Sequence, residues 1–229
     1  RVSGAGIAGP QILTKWGPRA DRKEELMRKV FCATLGLVLM AGVAGAQITG
    51  SEHDFSGQGW GTNEICQPCH TPHNASTALP VVLWNHAVTE ANYTLYSSPT
   101  MNATTGQPDG VSKACLSCHD GTVALDSFGG ATGSTTISGP ANFGTDLSND
   151  HPVSFAYNNA LATADGGLHP PTTQPSGLGG TISADMLFGP GSDQVECASC
   201  HDVHNAANLQ SLLLKSNAGS ALCLTCHAK

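Results

Sequence analysis

The stretch Cys66-Gln67-Pro68-Cys69-His70 decides the fold of this chain, because its pattern, Cys-x-x-Cys-His, occurs four times in the sequence. The other copies are Cys115-Leu-Ser-Cys118-His119, Cys197-Ala-Ser-Cys200-His201 and Cys223-Leu-Thr-Cys226-His227. We number them motif 1 to motif 4 in chain order. They contain eight of the nine cysteines, and the ninth is Cys32. A pattern that uses every cysteine after residue 32 is a strong signal.

Cys-x-x-Cys-His is the attachment signature of c-type haem. Its two thiols add across the two vinyl groups on one edge of the porphyrin, and the adjacent histidine is then placed to bind the iron. The motifs therefore predict four covalent haem c groups. The predicted attachment residues are Cys66, Cys69, Cys115, Cys118, Cys197, Cys200, Cys223 and Cys226, and the predicted iron ligands within the motifs are His70, His119, His201 and His227.

Zinc and disulfide bonds are the competing explanations for paired cysteines. Motifs 3 and 4 together have the spacing Cys-x2-Cys-x22-Cys-x2-Cys, which loosely matches a zinc ribbon. A zinc ribbon does not explain a histidine after every pair. Disulfides suit a secreted protein, but a bond within Cys-x-x-Cys would be labile to reduction rather than structural. The sequence therefore favours haem.

The N-terminal part of the chain has the pattern of a processing signal. Residues 27–46 combine a charged start at Met27, an apolar stretch and an Ala-x-Ala site ending at Ala46. The apolar stretch is short for a membrane span. We therefore expect a signal peptide over 27–46, which includes Cys32, and a mis-assigned upstream leader over 1–26. No membrane span is expected in the mature chain.

The remaining part, 47–229, is acidic and poor in large apolar residues. It has three lysines against fourteen acidic residues, a net side-chain charge of −11, which disfavours binding to nucleic acid or anionic membranes. Its many small and polar residues would not bury enough apolar surface to offset conformational entropy. We therefore expect mostly irregular coil, with a few short helices and little strand, wrapped around four covalent haems.

Six histidines lie outside the motifs: His53, His73, His86, His151, His169 and His204. Four are needed as second axial ligands. This supply of histidine, against Met101 and Met186 after residue 47, favours iron held by two histidines at low potential. His73 and His86 compete for one haem, and His169-Pro-Pro has the composition of a loop. With the axial positions filled, we expect an electron carrier rather than an enzyme.

The sequence also divides into two similar units. The first covers 47–125 and the second covers 151–229, with a Gly-, Thr- and Ser-rich linker at 126–150. Each unit begins with a histidine, at His53 and His151, and has another histidine three residues after the first motif histidine, at His73 and His204. Each unit also contains two motifs. We expect two di-haem units.

Local patterns predict few regular elements. Short helices are expected only near the motifs, at 208–214, where Leu209, Leu212 and Leu213 share one face, and at 221–227. The stretches 121–150 and 163–193 are rich in Gly, Ser, Thr, Asn and Pro, so they are expected to form surface loops.

Several segments resemble the paired Cys-x-x-Cys-His family and, within it, the extracellular tetrahaem cytochromes of the OmcE-like kind. They are His53-Asp-Phe-Ser-Gly-x-Gly-Trp, Cys-His-Thr-Pro-His-Asn-Ala after Pro68, Trp84-Asn-His86, His151-Pro-Val-Ser-Phe and Cys-His-Asp-Val-His-Asn after Ser199. The resemblance implies that His53, His73, His151 and His204 serve the haems of motifs 1, 2, 3 and 4 respectively. Whether each histidine binds within its own chain or in a neighbouring copy stays open.

The same resemblance implies a secreted homopolymer, a filament with a continuous row of haems and one histidine that can bind iron in the adjacent subunit. It would exchange electrons with redox partner proteins or extracellular acceptors. Composition alone does not indicate polymerisation. The alternative expectation is a monomeric periplasmic electron shuttle with the same four haems.

Overall fold

The computed structural model describes residues 47–228. The expected leader at 1–26 and signal peptide at 27–46, including Cys32, lie outside the described residues. The described part is mostly coil, as the sequence predicts. It contains α1 (Gly110–His119), α2 (Asn159–Asp165), α3 (Ile182–Met186) and α4 (Cys223–Cys226), and 3₁₀ turns at Gly139–Ala141, Cys197–Ser199, Gln210–Leu212 and Ala218–Ser220. The strands β1 (Phe155–Ala156) and β2 (Gln194–Val195) form one antiparallel pair, with Phe155 opposite Val195.

Helical backbone occurs at the motifs, which confirms that part of the prediction. Motif 2 forms the C-terminal half of α1, motif 3 begins with the turn Cys197–Ser199, and motif 4 contains α4. Motif 1 is a turn closed by bonds from the amides of Cys69 and His70 to the carbonyl of Cys66, at 3.2 and 2.8 Å. Each motif therefore has at least one turn of helix-like backbone.

The expectation that 163–193 is surface loop is wrong for α3. The side chain of Thr181 accepts a hydrogen bond from the amide of Ala184, which caps the helix start. Ile182 and Met186 are four residues apart, so they share one helix face, and both are essentially fully buried. This short helix is the centre of the largest apolar cluster because those two side chains fill it.

The predicted helix at 208–214 is also wrong. The structure has only a single 3₁₀ turn there, and Ser211 and Leu212 have left-handed backbone, with φ of 57° and 52°. The segment pairs with motif 3 instead: Asp202 donates to the carbonyl of Leu212 and Leu214 donates to that of Cys200. These long-range backbone bonds prevail over the helical spacing of the leucines.

Among residues 47–228, apolar side chains form three separate clusters rather than one core. The largest consists of Phe155, Tyr157, Ala162, Ile182, Met186, Leu187, Val195 and Leu222. The other two are Leu79, Trp84 and Ala114, and Tyr93, Leu116 and Leu147. Cysteines of the motifs pack at the edges of two clusters: Cys69 beside Trp84, and Cys200 and Cys226 beside the largest cluster. Motifs 1, 3 and 4 therefore each have a partly buried cysteine against an apolar cluster.

Over residues 47–228, none of the helices has both the length and the apolar character needed to cross a membrane.

Candidate functional site

The backbone at each motif places the reactive side chains together. The amide of His201 donates to the carbonyl of Cys197 at 3.1 Å, the amide of His227 donates to that of Cys223 at 3.0 Å, and motif 1 has the equivalent bond. Residues three and four apart on a helical turn lie on one face. Both thiols and the histidine of a motif are therefore presented to the same side, as attachment to a single porphyrin requires.

Three of the motif histidines are oriented by backbone carbonyls. The Nδ1 of His70 lies 2.7 Å from the carbonyl of Val82, that of His119 lies 2.8 Å from Ala141, and that of His201 lies 3.0 Å from Ser211. A carbonyl can only accept, so Nδ1 carries the proton and the lone pair is on Nε2. Metal-binding histidines commonly have this arrangement, in which the second nitrogen holds the ring in place.

The sequence did not reveal these carbonyl partners, because a backbone carbonyl has no residue signature. The segments that supply them are irregular or 3₁₀ turns, at Gly139–Ala141 and Gln210–Leu212 and around Val82. The long distance along the chain, twelve residues for His70 and twenty-two for His119, excludes a local motif. These turns thereby acquire a clear role in fixing motif geometry.

Three motif histidines face a second histidine from a distant part of the chain. The ring centres of His53 and His119 are 5.9 Å apart. Those of His70 and His204 are 6.2 Å apart, and those of His151 and His227 are 6.4 Å apart. No two of these partners are neighbours in sequence, so the pairs result from the tertiary fold.

These separations fit two imidazoles on opposite sides of one metal. With metal–nitrogen bonds of about 2 Å and each ring centre roughly 1 Å behind its nitrogen, the ring centres would lie about 6 Å apart. Each pair could supply at most two nitrogen ligands, fewer than the four that a structural zinc site needs. Among residues 47–228, no three His, Cys, Asp or Glu side chains group in a way that could hold a metal ion. Such pairs fit a metal whose remaining ligands come from a bound macrocycle such as a porphyrin rather than from the protein.

Apolar side chains exposed at the motifs support the same fit. Val82, which is 76% exposed, supplies the carbonyl for His70, and Phe143 stacks on His119 at 5.4 Å. Val203 lies between His201 and His204, and Leu224 lies within motif 4. An apolar macrocycle bound at the motifs would cover such side chains and bury their surface.

Cysteines of different motifs lie close enough to influence one another, and these influences show which motifs are neighbours. Burial raises the pKa of Cys118 to about 12, and the next cause is the charge of Cys69 in motif 1. A hydrogen bond with Cys197 in motif 3 is the main cause that raises the pKa of Cys115. Burial raises the pKa of Cys200, followed by the charge of Cys223 in motif 4. Consecutive motifs are therefore neighbours in space.

His53 is half-buried, and its ring lies beside those of Phe55 and His119. Burial, followed by the charges of His119 and His201, lowers its pKa to about 4. The ring is therefore neutral at physiological pH, the form in which imidazole binds a metal. Its Nδ1 is buried without a hydrogen-bond partner.

The ring partners differ from those that the family resemblance implies. His53 faces motif 2 rather than motif 1, His204 faces motif 1 rather than motif 4, and His151 faces motif 4 rather than motif 3. The resemblance orders ligands along the sequence, whereas the fold brings the first histidine of each unit against that unit's second motif and brings His204 against motif 1.

The remaining candidates are not paired in this way. His86 is buried, and its two ring nitrogens lie 2.8 and 3.0 Å from the carbonyls of Ala87 and Ala124. Its Nε2 is also 3.6 Å from the sulfur of Cys118. His73 is exposed and His169 is half-buried. Neither has a ring contact among residues 47–228. Their roles as ligands, and that of His86, stay predictions.

Comparison with known families supports the assignment of the motifs. A family model described as the doubled CXXCH motif matches residues 189–229, which contain motifs 3 and 4. No curated protein matches the chain significantly. Together with the four motifs, the family match indicates a multihaem c-type cytochrome that binds haem c covalently. Electron transfer is the function typical of that class.

Proposed function

We propose that this protein carries four bis-histidine haem c groups and is secreted, and that its copies assemble head to tail into an extracellular filament that conducts electrons. Bound haem supplies the one-electron iron couple. The chain supplies the attachment sites, the axial imidazoles and the order of the motifs, which follow one another from motif 1 to motif 4.

The observation that carries the proposal is the pair His70–His204. The other two ring pairs connect a unit's first histidine with that unit's second motif: His53 with motif 2, and His151 with motif 4. His70 and His204 instead join different units, because His204 follows the first motif of the second unit. The first motif of a unit thus receives its partner from the next unit along the chain.

Extending this rule leaves one motif and one histidine for a second molecule. His73 corresponds to His204 by position, and His201 corresponds to His70. By the same rule, the first motif of the second unit needs a histidine from a following first unit. We infer that His73 of a neighbouring copy is the second iron ligand for the haem of motif 3, whose own ligand is His201. This arrangement is heterologous, and a heterologous contact that does not close into a ring generates an open polymer.

Surface properties support this contact. The side chains of His73 and His201 are both exposed, and the Nδ1 of His201 is already held by the carbonyl of Ser211 at 3.0 Å. Its Nε2 is therefore available to iron. Each junction would bring motif 1 of one copy near motif 3 of another and so continue the row of motifs across the assembly.

Mass spectrometry and electron microscopy of the secreted holoprotein test the proposal directly. We expect a mass increment of four haem groups and filaments of uniform width. A holoprotein with four haems that stays monomeric at high concentration would indicate a periplasmic shuttle instead of a filament. A mass without haem would remove the basis of both functions.

His73→Ala with His204→Ala as its matched control tests the intermolecular ligand. Each substitution removes a histidine at the same position in its unit, and we expect each to convert one haem from low spin to high spin in the optical and electron paramagnetic spectra. Only His73→Ala should also prevent filament formation, because His204 pairs with its own chain. Filaments that persist in His73→Ala with all haems low spin would contradict the proposal.

A further inference from the structure

The described chain contains very few cations. Lys113 and Lys215 are the lysines between residues 47 and 228, and this range has no arginine. Lys215 is half-buried, and its ammonium donates to the carbonyl of Ser176 at 2.5 Å and to the hydroxyl of Thr225 at 3.0 Å. The side chain of Lys113 has no hydrogen-bond or ion-pair partner in this range. The two lysines therefore differ sharply in how firmly their charge is placed.

The contact with Thr225 fixes the charge of Lys215 at motif 4. Thr225 is the residue before Cys226, it is buried, and its hydroxyl donates to the carbonyl of Ala221 at 2.8 Å. Only its lone pairs remain for the ammonium, so the contact has a defined direction. The positive charge is thus anchored inside a haem-attachment sequence.

No carboxylate neutralises this ammonium directly. Across residues 47–228, no Asp or Glu lies within ion-pair distance of Lys215. The nearest acid in the same network is Asp185, whose carboxylate accepts from the hydroxyl of Ser176 and from the amide of Gly180 at 2.8 Å. Ser176 therefore stands between the two charges, and the field of the ammonium is only partly offset.

The ammonium lies beside the attachment residues of motif 4. Thr225, whose hydroxyl it contacts at 3.0 Å, directly precedes Cys226 and His227. Motif 3 has an acidic neighbour instead, because Glu196 directly precedes Cys197. The carboxylate of Glu196 is buried and accepts from the hydroxyl of Ser154 at 3.0 Å and from the amide of Ser112 at 3.2 Å.

Ferric haem has one more positive charge than ferrous haem, so a nearby cation disfavours the ferric form and raises the reduction potential. We propose that Lys215 makes the haem of motif 4 the one with the highest reduction potential in each chain, an inference that depends on the proposed attachment of four haems but not on polymerisation. A chain carrying one electron would then hold it at motif 4.

Optical redox titration of the holoprotein tests this with Lys215→Gln, using Lys113→Gln as the matched control. In Lys215→Gln we expect the highest midpoint to fall, with a roughly tenfold higher ferric-to-ferrous ratio of that haem at fixed potential, equivalent to about 59 mV for one electron. Lys113→Gln should leave the highest midpoint in place. Lys215→Arg, which keeps the charge, should restore the wild-type value.

Intact mass and electron microscopy on the same samples separate this inference from the proposed function, since they report haem content and filaments independently of potential. An unchanged highest midpoint in fully loaded Lys215→Gln, or an equal shift in Lys113→Gln, would overturn the role of Lys215. If Lys215→Gln does not load four haems, Thr225→Val decides, because it removes the contact that holds the ammonium at motif 4 while the charge and the bond to the carbonyl of Ser176 remain. It should lower the same midpoint by a smaller amount, and no shift would again overturn the inference.

Discussion

The first unit, 47–125, and the second unit, 151–229, have the same order of histidines and motifs but very different apolar cores. The cluster of eight buried residues lies entirely between Phe155 and Leu222, in the second unit. The first unit has only two clusters of three, and one of these draws Leu147 from the linker. Similar cofactor patterns therefore do not imply similar side-chain packing, and the first unit depends more on its cofactors.

The units also differ in their second histidine. Both are exposed, but the ring of His204 lies 6.2 Å from that of the motif histidine His70, whereas the equivalent His73 has no ring contact among residues 47–228. If each unit supplied all of its own histidine partners, His73 and His204 would have equivalent contacts. This difference is the basis of the proposal that a neighbouring copy supplies the second histidine of motif 3.

Removal of haem should change the structure of the two units more than any single substitution. Chain produced without haem attachment should lose ordered structure throughout most of its length, because side chains alone bury little apolar surface. Residual protection from hydrogen exchange should be confined to the second unit, around β1, α3 and β2. Equal protection in both units would show that their side-chain cores do not differ in stability.

Met186→Ala should destabilise the holoprotein by about 2–5 kcal/mol, since Met186 is 1% exposed at the centre of the large cluster. Leu79→Ala in the first unit should cost less, because Leu79 has only two buried apolar neighbours in its cluster. Guanidinium unfolding followed by circular dichroism measures both. A larger loss for Leu79→Ala would reverse the proposed asymmetry of the cores.

Tyr93→Phe and Tyr157→Phe should have the smallest effects on stability. Each removes one buried hydroxyl, in the first and the second unit respectively, so together they compare the polar contacts of the two units. The hydroxyl of Tyr93 donates to the buried carboxylate of Asp120 at 2.6 Å, whereas that of Tyr157 donates to the carbonyl of His169. A hydrogen bond to a charged group is worth about 1.5–3 kcal/mol and a neutral one about 0.5–1.5 kcal/mol. Tyr93→Phe should therefore lower the free energy of unfolding more, as the same guanidinium titrations would measure. Equal losses would mean that Thr89 and Thr122, which also donate to Asp120, compensate for the missing hydroxyl.

Local sequence predicted some elements and missed others for identifiable reasons. The helical turns at the motifs follow from short spacing, and they form. The helix α3 was missed because its signal is brief, a Thr181 cap followed by Ile182 and Met186 on one face, inside a segment dominated by glycine. The leucines near 210 had helical spacing, but bonds to motif 3 keep that segment non-helical.

The sequence by itself determined the chemistry of attachment, because two thiols and a histidine within five residues reach one porphyrin whatever the rest of the chain does. Only the tertiary structure decided which histidines meet. His53 and His119 are far apart in sequence, as are His70 and His204, and no local spacing specifies such pairs. They form because the turns that supply carbonyls to the motif rings, and the clusters behind the cysteines, bring distant segments together.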